Sequence, residues 1–87
     1  MNKTKYEHYL RSTNHTDKSI IARINNLVKV ENYFQLNIDS IINDKDKVIT
    51  LLREIKRFGI DTKNQNLSNT VRKYYECITG SYIGRIF

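Results

Sequence analysis

The groups in this chain that could do chemistry are two histidines, one cysteine, a short acidic run and three glycines, and their spacing argues against most of it. His8 and His15 are not spaced as metal ligands on one helix face, and no Cys or carboxylate completes a site around them. Asp44-Lys45-Asp46 begins like a calcium loop. Its sixth position, however, is Ile49 where the loop needs Gly, and its twelfth is Ile55 where it needs a bidentate Glu. Helix capping explains those acids better. Gly59, Gly80 and Gly84 stand apart, and Gly80–Gly84 lacks the Lys and Ser/Thr ending of a phosphate loop. Cys77 is the single cysteine, so no intrachain disulfide can form; at helical spacing it flanks Tyr74 and Ile78 and reads as a core thiol. With no paired acids, nucleophile–base pair or metal cluster, the expectation is a non-enzyme that needs neither cofactor nor metal.

What remains is charge. Fifteen Lys and Arg against nine Asp and Glu leave +6, an excess that on so small a body favours an anionic partner. Lys18 and Lys29, with Asn25 and Asn26, line one side of one helical stretch. Lys63, Asn64 and Asn66 stand at the start of another, whose free N–H groups would draw phosphate, and Arg72 and Lys73 extend that surface. Such contacts give affinity, while Asn and Arg add limited major-groove readout. The plain alternative is a set of solvated helix faces, and Asp17, Glu31 and Glu76 interrupt the patch. Of the six tyrosines, Tyr74 and Tyr75 fall on a buried stripe, and Tyr33 is the one placed on an outer face.

The elements that must carry these groups are helical, because apolar residues recur every three to four positions and no alternating strand pattern persists. A first short helix over 1–11 puts Tyr6, Tyr9 and Leu10 on one side. Thr16 is a natural N-cap, with Asp17 in the first turn, for a helix to Phe34 that buries Ile20, Ile24, Leu27, Val28 and Phe34. Ile38–Ile42 reads as a short turn plugging the core. Asn43 is the next cap candidate, for a helix over 44–58 with Val48, Leu51, Leu52 and Ile55 inward, Arg53 and Arg57 outward, and Gly59 as a left-handed stop. The last helix, 67–79, buries Leu67, Val71, Tyr74, Tyr75 and Ile78 and ends at Gly80. Its tail, 81–87, holds apolar residues that pack back or meet a partner. The fold class is therefore all-α, a bundle of four to five helices.

Eighty-seven residues with 39% hydrophobic content support one domain and one modest core. The N-terminus has lysines but no apolar h-region, and no apolar run approaches the ~20 residues of a membrane span. A soluble, cytoplasmic protein with no membrane partner is expected. Abundant Asn and Ile, one Ala and no Pro or Trp are the bias of an AT-rich genome, as in a low-GC bacterium or its phage.

Read in order, Tyr6-Glu7-His8-Tyr9-Leu10, a loop with Thr16 at the cap, SIIARINNL at Ser19–Leu27, VENYF at Val30–Phe34, a middle helix and LSNTVRKYYE at Leu67–Glu76 resemble the SAM-like core-binding domain of tyrosine recombinases, the phage integrases. In that family the final helix commonly carries an Arg-x-Tyr/Phe-Tyr ending, to which Arg72-Lys73-Tyr74-Tyr75 is similar. The resemblance implies a SAM-like fold and a module that clamps one face of duplex DNA with two helices. The family's catalytic domain has no counterpart here, so the resemblance implies DNA binding without strand cleavage. A second reading stands beside it: a small phage-encoded inhibitor that binds a host defence protein. There the apolar tail, Tyr82, Ile83, Ile86 and Phe87, would be the partner interface or a homodimer contact.

Overall fold

The structure, a computed structural model, describes residues 1–84. Among them stand four α-helices, α1 (Lys3–Ser12), α2 (Asp17–Phe34), α3 (Lys45–Arg57) and α4 (Asn66–Thr79), with a 3-10 turn at Ile38–Ser40 between α2 and α3. Each helix start has a local chemical cause. Asn2 Oδ1 accepts from the Lys5 N–H, Thr16 Oγ1 from the Ser19 N–H at 3.1 Å, and Asp44 Oδ1 from the Asp46 and Lys47 N–H groups. The cap of α3 is thus Asp44 rather than the expected Asn43: its carboxylate reaches two free donors and answers the positive end of the helix dipole. The stops are equally local. Gly59 and Gly80 take the left-handed conformation (φ +63° and +73°) that ends α3 and α4 without a Cβ clash. Gln35 takes it at the end of α2, where Leu36 N–H returns to the Glu31 carbonyl at 3.0 Å.

The helices assemble because each buries one stripe. α4 is central, packing against α1, α2 and α3. Tyr6, Leu10, Leu27, Val30, Ile38, Val48, Leu52, Ile55, Val71 and Tyr74 are fully buried, and each aliphatic side chain among them contributes about 1.5–3 kcal/mol. In α2 the stripe departs from expectation. Val28 is 37% exposed and Phe34 only half-buried, while Val30, which was not assigned inward, is fully buried. At 100° per residue Val28 sits about a quarter-turn off the line through Ile20, Ile24 and Leu27, whereas Val30 falls on the side that α4 covers.

Two polar nodes cross this core. Tyr6 of α1 meets the Thr70 hydroxyl of α4 at 2.7 Å and donates to the Thr70 carbonyl at 3.1 Å, while the Thr70 hydroxyl donates to the Arg23 carbonyl of α2 at 2.7 Å. Three helices therefore share one hydroxyl. Tyr74 of α4 packs edge-on against Tyr6, ring centres 5.1 Å apart. Its hydroxyl accepts from the Asn2 N–H at 2.7 Å and donates to Asp39 of the 3-10 turn. Burial pushes both tyrosine hydroxyls up, that of Tyr6 to about 12, so both remain donors. After Gly80 the described part of the tail, 81–84, returns to the core at Ile83, which is 3% exposed.

Candidate nucleic-acid interface

Where α2 packs against α4, their polar flanks face each other across an open cleft. One hollow of about 240 Å³ is lined by Arg23, Asn69, Arg72, Lys73, Glu76 and Tyr82. A second, of about 150 Å³, is lined by Ser19, Ala22, Arg23, Asn26, Asn66 and Asn69. The two share Arg23 and Asn69, and together they form one groove with three cations, three carboxamides and one carboxylate.

Two of these cations, Arg72 and Lys73, have side-chain partners. Arg72 donates to Asn69 Oδ1, and Asn69 Nδ2 in turn donates to the Asn64 carbonyl at 3.2 Å, so the amide cannot turn away. Arg23 is half-buried, with its backbone carbonyl fixed by Thr70 and its charge close enough to Tyr6 to oppose the upward push on that hydroxyl. Lys73 Nζ lies 3.3 Å from Glu76 Oε2. The Tyr9 hydroxyl, followed by Lys73, holds the Glu76 carboxyl below the usual carboxylate range, so the acid is ionised and Lys73 is largely answered. Arg23 and Arg72 bring two guanidiniums to the groove, and their planar donor forks suit phosphate oxygens.

The residues singled out from the sequence divide among several surfaces. Asn66, Arg72 and Lys73 enter the groove. Lys18 and Lys29 are exposed on the outer stripe of α2. Asn25 lines a different hollow, between α1 and α2, with Lys3, Glu7, Ile20, Ile21 and Ile24, because its helical position leans away from α4. Lys63 is exposed in the loop before α4, and Arg53 and Arg57 are exposed on α3, outside the groove. Reading helix faces one at a time missed Arg23 and Asn69, and grouped Asn26 with Lys18, Asn25 and Lys29 where the structure turns it into the groove. Arg23 and Asn26, one turn apart on the α2 flank, and Asn69 and Arg72 on α4 carried a signal: two Asn/Arg pairs at i, i+3.

One expectation is overturned. The N-terminus of α4 has no free N–H groups to offer phosphate. Asn66 N–H donates to Thr62 Oγ1 at 3.0 Å, Leu67 N–H to Asp61 Oδ1 at 2.8 Å, Ser68 N–H to Asp61 Oδ2 at 3.2 Å, and Asn69 N–H to the Gln65 carbonyl at 2.8 Å. The Ser68 hydroxyl donates a third bond from α4 to the Asp61 carboxylate, at 2.6 Å to Oδ2. An acid already occupies the place of an anion. The cap was overlooked because it comes from a residue well upstream, across the loop, rather than from the position adjoining the helix.

The proposed tail interface changes as well. Ile83 is buried and unavailable to a partner, Tyr82 is 75% exposed at the rim of the groove, and Ile86 and Phe87 lie outside the described residues. Tyr33 is exposed as expected but belongs to an aromatic cluster, its ring centre 5.0 Å from Phe34 and 6.3 Å from Phe58. Beside it Phe34, Leu36, Ile41 and Leu51 line an apolar hollow of about 280 Å³. Cys77 is half-buried, with its thiol pushed up by burial. His15 Nδ1 sits 2.9 Å from the Thr13 hydroxyl. Among the described residues no three His, Cys, Asp or Glu gather as a metal site, and no helix is long and apolar enough to cross a membrane.

Compared with known proteins, the chain matches no family model, no curated protein and no solved structure.

Proposed function

We propose that this chain is a DNA-binding module that holds the sugar–phosphate backbone in the groove between α2 and α4 and makes no or breaks no bond in it. The observation that carries the reading is the pair Arg23 and Arg72: two arginines lining one open cleft and flanked by Asn26 and Asn66, with Arg72 held by Asn69. An arginine held as Arg72 is loses little side-chain freedom when it meets phosphate, and carboxamides beside it can reach base edges. Lys18, Lys29 and Lys63, exposed on the adjoining surfaces, add long-range attraction. The likeness to an integrase core-binding domain supports the same reading, since two helices would face the duplex, and with it an origin in a phage or mobile element.

The test is binding of a blunt duplex across a salt series. Binding should fall steeply with salt through counterion release. Arg23→Gln and Arg72→Gln should each flatten the log–log slope by about 1, while Arg53→Gln and Arg57→Gln produce only the small loss that follows net charge. Equal losses in both pairs would mean bulk electrostatics and would refute the groove. A second reading, an inhibitor of a host protein, is favoured by one feature, the exposed Tyr33 and Phe58 beside the apolar hollow on the far ends of α2 and α3. A pull-down from host lysate with and without nuclease separates it from DNA-bridged capture.

A further inference from the structure

Tyr82 is an exposed aromatic residue in a place that ordinary packing does not explain. At 75% it is more exposed than Ile21, Val28, Tyr33 or Phe58, the other large apolar side chains on the described surface. Yet it is not on a loose end. Two residues before it Gly80 closes α4 in the left-handed conformation, and the Ser81 N–H is tied to Thr79 Oγ1 at 3.1 Å. The next residue, Ile83, is buried in the core. Gly84 passes close beneath the ring, since a Cβ there would lie 3.5 Å from Tyr82 Cε1. The backbone on both sides is therefore anchored, and the ring is presented at the rim of the hollow that Arg23, Arg72 and Lys73 line.

An aromatic face held in water beside a cationic track is the arrangement by which proteins take unpaired nucleotides: cations follow the phosphates, and the base stacks on the ring. In the interior of a duplex, pairing and stacking leave no free base face for such a ring; only the terminal pairs expose one. We infer that Tyr82 is a base-stacking residue and that the DNA suited to this groove carries an unpaired base next to the phosphates held by the two arginines. The inference rests on the DNA reading of the groove and deepens it: it adds a preference for duplex with a single-stranded overhang over blunt duplex.

Three probes of equal duplex length test this: blunt DNA, the same duplex with a short mixed-sequence overhang, and that overhang made abasic so that its phosphates remain and its bases do not. The wild-type protein should bind the overhang more tightly than the abasic overhang by about 5- to 150-fold, the span of one stacked base. Tyr82→Ala should bring that ratio to one, and Tyr82→Phe should keep most of it. The chain has no tryptophan, so Tyr82→Trp adds a single reporter whose emission should be quenched by the overhang and not by its abasic form. A wild-type ratio of one, or a ratio that Tyr82→Ala leaves intact, overturns the stacking role. If the probes then still bind and Arg23→Gln weakens all of them, the DNA reading survives without it. If none of the probes binds at low salt, both fall together.

Discussion

Replacing Thr70 by Val is the sharpest test of how this bundle is held and of how its groove is shaped. Thr70 is fully buried at the point where α1, α2 and α4 meet, and its hydroxyl makes 2.7 Å contacts to the Arg23 carbonyl and to the Tyr6 hydroxyl. Valine keeps the β-branched shape and nearly the same helix propensity, so the change isolates the hydroxyl. The Tyr6 hydroxyl would keep one acceptor, the carbonyl of residue 70 at 3.1 Å. The loss is then two buried hydrogen bonds without a fully orphaned donor, worth about 1–3 kcal/mol together. On a domain of this size each kcal/mol moves Tm by about 4–8 °C. Urea unfolding followed by far-UV circular dichroism reads this directly. Tyr6→Phe removes the other side of the contact, and the double variant should show a coupling of at least ~0.5 kcal/mol. Strict additivity, or a neutral Thr70→Val, would mean that the shared hydroxyl does not tie the three helices, and that the turn of α2 bearing Arg23 is placed by apolar packing alone.

Further outcomes are expected. Asp61→Ala should cost about 1–2 kcal/mol by stripping the cap from α4, and a change below a few tenths would show the N–H groups equally well served by water. Leu52→Ala should cost about 2–5 kcal/mol because Leu52 is fully buried, whereas Val28→Ala should stay under ~1 kcal/mol at its exposed position; the same urea series compares them. The Tyr6 hydroxyl titrates near 12 in the fold against 10 when free, so its stabilising effect is complete below pH 10. It is lost as pH climbs from 10 to 12, by about 2–3 kcal/mol, and the fall in stability across that window should be shallower in Tyr6→Phe, where the raised hydroxyls of Tyr74 and Tyr9 still titrate.

The helices themselves were legible in the sequence, because what makes them is local. Thr16 before Asp17, acids opening α3, glycines after α3 and α4, and an apolar residue every third or fourth place each act within one or two turns of chain. Net charge and the scarcity of catalytic groupings were likewise properties of composition and spacing. Everything that depends on which flank of one helix meets which flank of another was not. Val30 rather than Val28 is buried because α4 covers that side of α2, and Asn25 parts from Asn26 because the two straddle the outer stripe and face different neighbours. Asp61 closes the end of α4 only because the loop folds back on it, which turned an expected phosphate site into a filled one. Arg23 joins Arg72, and Tyr82 joins both, across distances in sequence that no periodicity encodes. A helix repeats every 3.6 residues and so announces its own faces, but the pairing of faces is decided by the packing of the whole core, and the groove exists only where two of them meet.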